Sequence, residues 1–543
     1  MKVLEIPLGK RSKFYRFFEM LPGLISIGGI VLLVVLSIFA PVAASIFMLC
    51  LVLLMFVRAV GMAYRTVQGY QLYKKSCTVA WDKRLKNLSE PEVALGKIEK
   101  TDKKLYAIKV HEQNLQRILA NPDGFPSVDE IIHGVFIFIY NEGYDVLRPT
   151  LEAIKANHYD MKKVVIVLAY EERGGQAAKD TVDAIVRDYT GVFADILPIE
   201  HPQGLPNEIV GKGPNATYAG EKFTEYVRGR KIDPENVIVT TLDSDNRMEP
   251  NYLPYLTYEW IVAPNRQKLS YQPICLFTNN IWDVPAPMRV VAVGNSFWNI
   301  VSSTRPHLLR NFASHSQGLQ ALIDMNYWSK RTIVEDGHQY WRSYFHFDGD
   351  YSVVPLKVAI GQDAVLSDTY WKTLKAQFVQ VRRWAYGASD VAYVAESIRL
   401  RGKKVKFWPA FTRLIRLLDN HTSQAVMAPL IAFGGWIPLI VAPLSPVVLT
   451  VHELPMLLGQ VQMVAVFGIL TTMFTSFLLL PPKPVEHHGV KRLLMALQWI
   501  LMPVTSIIYT SASAYYSQTR LLFARYMTVF DVTQKTVKGK KAK

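Results

Sequence analysis

Several short stretches combine residue types that could handle a charged, phosphorylated ligand. Asp243-Ser-Asp245 sets two carboxylates two residues apart. Such a pair can face one hard cation, Mg2+ or Mn2+, which takes phosphate oxygens as further ligands. As a plain turn the same triplet would cap the next helix. Glu335-Asp336 sets two acids side by side; their mutual repulsion suits a general base, and a solvated acidic turn is the blander reading. Gly211-Lys212-Gly213-Pro214-Asn215 is a Gly-rich turn with a cation before a helical stretch. It suits phosphate, although it lacks the Walker-loop spacing and also reads as an ordinary turn. Gln380-Val-Arg-Arg383-Trp384 joins Arg, which grips phosphate bidentately, to an aromatic face suited to a sugar ring. An interfacial membrane anchor is the other reading of that stretch.

Positioning these residues takes a sheet. The runs 134–140, 163–169 and 236–242 are short, apolar and β-branched, and predict buried parallel strands. Helical stretches at 177–189 and 216–228 separate them. This alternation predicts an α/β, doubly wound, Rossmann-like domain over residues 129–400, entered through a helical lead-in at 58–128. Ligands bind at the carboxyl ends of such strands. Tyr140-Asn-Glu142, Glu171-Glu172-Arg173 and Asp243 stand at three of them.

The chain has 543 residues, a formal net charge of +16, 50% hydrophobic residues and 20% charged ones. That apolar content excludes a disordered chain. The three cysteines show no metal-ligand spacing and exclude a disulfide scaffold. The apolar excess is segregated. Residues 21–57 carry no charge and predict a transmembrane hairpin broken at Pro41, after a basic cytoplasmic segment at 1–20. A signal peptide cleaved near Pro41 is the alternative, and the second apolar run that follows at once argues against it. An interfacial segment at 401–424 leads to a second membrane block at 425–519, with spans near 425–449 and 457–480 and a Pro-broken run at 493–519. The tail, 520–543, is basic and reads as cytoplasmic, which three full crossings would not allow. The positive charge thus marks the flanks of a lipid bilayer, and no nucleic-acid partner is expected.

Taken in order, Tyr-Asn-Glu, Gly-Lys-x-x-Asn, Asp-Ser-Asp, Glu-Asp and Gln-x-x-Arg-Trp resemble the membrane-embedded family 2 glycosyltransferases: cellulose, hyaluronan and chitin synthases. Phe530-Asp-Val-Thr-Gln-Lys535 is similar to a cytoplasmic stretch that follows the last membrane segment in cellulose synthases. The resemblance implies a GT-A fold and inverting sugar transfer from a nucleotide-diphospho sugar, with a UDP sugar the expected donor, to a saccharide or lipid-linked acceptor. It implies that Tyr140 and Glu142 line the nucleotide pocket, and that Lys212 and Asn215 face base, ribose or diphosphate. Asp243 and Asp245 hold the diphosphate and Mg2+ or Mn2+. Asp336 is the general base with Glu335 beside it, and Gln380, Arg383 and Trp384 meet diphosphate and acceptor. The family's uracil-reading Asp after the second strand is replaced here by Glu171 and Glu172, and its Thr-Glu-Asp is Val334-Glu335-Asp336. Processive polysaccharide synthesis leads, with single-sugar transfer to a polyprenyl phosphate or glycolipid as the alternative. A transporter is the remote one, disfavoured because the charge-free runs offer almost no ionisable group.

Overall fold

A computed structural model describes residues 4–98, 105–441 and 497–531, with isolated positions between 453 and 495. Most of the span near 457–480, residues 442–449 of the one near 425–449, and the tail lysines lie outside the described residues.

Two long helices open the chain, α1 (Lys13–Phe39) and α2 (Pro41–Cys77). Ser12 caps α1 by accepting from the Tyr15 amide at 3.0 Å, so the helix starts eight residues before the charge-free run. Pro41 sits at the first position of α2, where its missing N–H costs nothing. At 1.5 Å per residue, the 37 residues of α2 reach roughly 55 Å, enough to cross a bilayer and continue into the soluble part. Its far end packs Gly69 against Ile300, and the Tyr73 hydroxyl donates to Glu249 at 2.5 Å. The helical lead-in follows as α3 (Trp81–Asn87), α4 (Pro91–Ile98) and α5 (Ile108–Ala120).

The next helices alternate with strands: β1 (Ile132–Ile139), α6 (Tyr144–Lys155), β2 (Val164–Glu171), α7 (Gly175–Tyr189), β3 (Asp195–His201), α8 (Lys212–Gly229) and β4 (Val237–Asp243). β2 is buried at all eight positions and β1 at seven of its eight, which is what a strand covered on both faces requires. One face packs α8 through Phe223, whose ring lies where a Cβ on Gly134 would be. The other packs α6, α7 and α9 (Tyr252–Val262).

Beyond β4 the sheet departs from the expected parallel pattern. The strands β5 (Arg247–Met248), β6 (Leu269–Leu276), β7 (Ser316–Gly318) and β8 (Ser352–Gly361) complete eight strands in the order β3-β2-β1-β4-β7-β6-β8-β5. The short β7 runs antiparallel to both β4 and β6, whereas β6 and β8 are parallel. The sheet is therefore mixed, with only β3-β2-β1-β4 forming the parallel half. Ser270, Gln272 and Lys357 interrupt the apolar runs of β6 and β8; Asn311, Ala313 and Ser303 accept their hydrogen bonds.

Helices α10 (Ala286–Ser303), α11 (Leu319–Asp324), α12 (Glu335–His346), α13 (Tyr370–Ala385) and α14 (Asp390–Arg401) surround this half. α15 (Phe407–Phe433) then runs without a break through the segment read as interfacial and continues by a turn into α16 (Ile437–Val441). After α17 (Met502–Thr505), a π-helical turn at Ser506–Ser511 leads into α18 (Ala512–Leu522). Among the described residues, Lys13–Phe39, Pro41–Cys77 and Phe407–Val441 are long and apolar enough to cross a membrane.

The segment before α1 is folded onto the soluble part. Glu5 pairs with Arg342, a fully buried guanidinium on α12, and accepts from Ser329 at 2.9 Å. Arg342 also donates to the Met325 carbonyl at 3.0 Å. Removing one partner leaves the other charge stranded. Glu5→Ala should cost about 3 kcal/mol, the low end for a buried pair because Glu5 is partly exposed. Thermal unfolding of the purified full chain checks this, and an unchanged midpoint would contradict it.

Candidate active site

The first turn of α8 is pressed against the loop that precedes α12. A Cβ on Gly213 would stand 3.3 Å from the Glu335 Cβ and closer still to the Ser329 carbonyl, so glycine is what allows the approach. Consequently the start of α8, the start of α12 and the end of β4 meet at one point. Lys212 Nζ lies 2.9 Å from Asp243 Oδ1, 3.4 Å from Asp336 Oδ2 and 3.6 Å from Glu335 Oε1. The lysine and Glu335 side chains are buried, 9% and 4% exposed, whereas Asp336 and Asp243 reach the opening at 22% and 37%. Burial alone would lower the Lys212 ammonium; Asp243, Asp336 and Glu335 outweigh it and hold the group well above its ordinary value. Burial and the neighbouring Asp336 raise the Glu335 carboxyl, against the pull of Lys212 and Arg383.

Asp245, two residues past Asp243, is buried. Its Oδ2 accepts from the Asp363 amide at 3.1 Å. Asn246, with its amide turned to suit both neighbours, donates to Asp245 Oδ1 at 3.0 Å and accepts from the Asp243 amide at 3.1 Å. The described residues hold no group of three or more His, Cys, Asp or Glu side chains at metal-ligand spacing. Asp243 and Asp245 nevertheless supply hard oxygens, and Mg2+ ordinarily completes such a pair with phosphate and water. The residues present therefore fit a divalent ion that arrives with a diphosphate.

α13 brings the Gln-x-x-Arg-Trp stretch to the same opening. Arg383 feels Glu335, Asp243, Asp336 and Asp531, which oppose the lowering that burial imposes on its guanidinium. It lies 3.8 Å over the Phe530 ring and donates to the Asp531 carbonyl at 3.1 Å. Phe530 in turn donates its amide to the Val210 carbonyl at 2.9 Å, so residues 529–531 bridge the loop before α8 and the end of α13. Trp384 is partly exposed and stands 6.1 Å from Phe277, ring to ring. Gln380 accepts from Gln377 at 3.2 Å.

Other residues singled out in the sequence take up positions outside this cluster. Glu142 folds back on its own loop, accepting from the Tyr140 and Asn141 amides at 2.8 and 3.2 Å. Glu172 accepts from the Gln203 amide at 2.7 Å. Asn215 is buried and donates to the Ala169 carbonyl at 3.0 Å, bracing α8 on β2. Tyr140 and Glu171 stand at the ends of β1 and β2, with Arg173 paired to Glu171 and 5.1 Å over the Tyr140 ring. Sequence reasoning missed His315. It is buried, donates from Nδ1 to the Phe312 carbonyl at 2.9 Å, and stands 3.9 Å from Asp336. No motif surrounds it, so nothing in its neighbours marks it. Asp531, which ties down both Arg382 and Arg383, lay within a recognised stretch but had no role assigned.

Lys212 is the cation that keeps three acids together. Lys212→Met, measured in chelator, should unfold at a lower temperature than wild type, by about 3 kcal/mol at pH 8. The deficit should shrink at pH 5, because acid protonates the carboxyls left facing one another. Circular-dichroism melts at the two pH values check the sign; an equal deficit at both would contradict it.

No protein-family model matches the chain, and no curated protein matches it. Among solved structures, it is similar to a mannosyltransferase from Pyrobaculum calidifontis in complex with GDP-Man and Mn2+. That alignment has 12% identity and a TM-score of 0.38, covering 82% of this chain and 100% of the other. It is also similar to TarS of S. aureus in complex with UDP, at 11% identity and a TM-score of 0.33, covering 73% of this chain and 91% of the other. Likeness this remote carries no weight for the chemistry, which rests on the geometry of the cluster.

Proposed function

We propose that this chain is a membrane-bound, inverting glycosyltransferase with a GT-A type domain over residues 129–400. It moves a sugar from a nucleotide-diphospho sugar to an acceptor hydroxyl, as in polysaccharide synthesis. The observation that carries the reading is the meeting of Lys212, Asp243, Glu335 and Asp336. These residues come from three stretches far apart in sequence, each of which suggests phosphate, metal or proton chemistry independently. They converge at the carboxyl edge of parallel strands, where ligands of open α/β sheets bind.

In this reading Asp336 takes the proton of the acceptor hydroxyl. The hydroxyl oxygen bonds to the anomeric carbon on the face opposite the diphosphate, the bond from that carbon to the diphosphate breaks, and the nucleoside diphosphate leaves with the electron pair. Negative charge then grows on the leaving group. Lys212 and Arg383 are fixed cations aimed at that region, already oriented before reaction, which is the form of stabilisation that lowers such a barrier most. Glu335, buried beside Asp336, has its carboxyl raised by burial and by that neighbour. Asp243 and Asp245 would hold Mg2+ or Mn2+, which when bound neutralises charge on the diphosphate. Trp384 offers an aromatic face for the acceptor sugar. The flanking basic residues orient the domain to the cytoplasm, where nucleotide sugars are found.

Asp336→Asn should lower transfer by roughly 10²–10⁴-fold while leaving donor affinity within a few fold. Product formation and donor binding, both on the purified full chain, separate the two; wild-type transfer by this variant overturns the base assignment. Asp245→Ala should abolish transfer together with its dependence on divalent metal. Undiminished wild-type transfer in excess chelator overturns the metal assignment. Product size separates a growing polysaccharide from a single-sugar lipid.

A further inference from the structure

The α8 face of the sheet extends sideways from the acidic cluster. Side chains two apart on a strand share a face. Phe136 and Phe138 of β1 lie on the α8 face with Val165, Val167 and Ala169 of β2. Tyr140 and Glu171 continue those rows, so both belong to the α8 side, as does Asp243 at the end of β4. Register supports the same arrangement, because Phe138 pairs with Asp243 and Ile139 with Tyr170. From Asp243 on β4, across β1, to Glu171 on β2 is two strand spacings sideways and two residues along, roughly 12 Å. A ribose bridges such a gap between a diphosphate at the cluster and a base at Glu171.

The groups at that far end are selective. Glu171 is 8% exposed and paired with Arg173. The Arg173 guanidinium lies 5.1 Å over the Tyr140 ring, so a flat cation and an aromatic face stand beside a carboxylate. Burial raises the Glu171 carboxyl against the pull of Arg173, and the ion pair with that guanidinium is the contact a carboxylate makes. An ionised carboxylate only accepts hydrogen bonds, and it accepts two side by side. Guanine presents two adjacent donors, N1–H and the exocyclic N2–H. Uracil has one N–H between two carbonyl oxygens, while adenine and cytosine each set an amino group beside a bare ring nitrogen. Against any of those three, one carboxylate oxygen would meet an acceptor.

We infer that the donor is a guanosine diphosphate sugar, with Glu171 reading the N1–H and N2–H edge of guanine and Tyr140 and Arg173 forming its stacking wall. This rests on the donor-site reading above and departs from the UDP donor that the sequence resemblance implies. A buried polar reader rejects bases that leave it unpaired, and a bidentate contact of this kind is worth about tenfold or more in affinity.

The test titrates GDP, UDP and ADP into the detergent-purified full chain with Mn2+, by calorimetry. GDP should bind at least about tenfold tighter than either of the others. In Glu171→Gln the amide donates at one of the two positions, so the preference for GDP over UDP should collapse or reverse while UDP affinity is kept or improved. Wild-type protein that binds UDP as tightly as GDP overturns the guanine assignment and leaves the donor site standing. An unchanged GDP preference in Glu171→Gln removes Glu171 as the reader. If no nucleoside diphosphate binds the wild type, the donor-site reading falls with it.

Discussion

One ammonium group holds the centre of this molecule together. Lys212 is buried, and a buried cation is tolerated only when its charge is answered. Here it is answered three times over, by Asp243, Glu335 and Asp336. The surplus of acid over base leaves the cluster short of positive charge. Such a site attracts a divalent ion or further guanidinium groups, and Arg383 already stands within its field. The end of the parallel half-sheet, the two helix starts and α13 therefore gather around an electrostatic problem that no one of them resolves alone.

Parts remote in sequence hold that geometry. Gly213 lets α8 touch the loop before α12. Glu5 and Arg342 pin α12 from behind, through a segment that then becomes α1. Residues 529–531 reach back from the end of the described chain to Val210 and Arg383. α2 runs from the apolar hairpin to Glu249, four residues past Asp245.

Much of this was legible in the sequence. The strands β1, β2 and β4 announce themselves because each is buried on both faces and so is apolar along most of its length. The mixed half of the sheet was hidden for the converse reason. Ser270, Gln272 and Lys357 are polar residues in buried strands, tolerated because partners distant in sequence satisfy them. Apolar runs marked the helical hairpin, but the ends of α1, α2 and α15 are set by a cap, a proline and tertiary packing rather than by where charge begins. Within the site, Asp243, Asp336, Lys212 and Arg383 were visible as unusual residue types at unusual spacing. Glu142, Glu172 and Asn215 were not separable from them, because a carboxylate that caps its own loop looks the same in sequence as one that meets a ligand. His315 carries no local signature at all and appears only when β7 folds beside β4.

The central claim is that the acidic cluster around Lys212 receives the diphosphate of a nucleotide sugar. The most direct measurement incubates the purified full chain with a panel of nucleotide sugars, a divalent metal and a saccharide acceptor, and quantifies nucleoside diphosphate released against sugar incorporated. The account predicts release from one donor class, equal to the sugar transferred and abolished by chelator. No release from any donor, in protein shown to be folded, would contradict it.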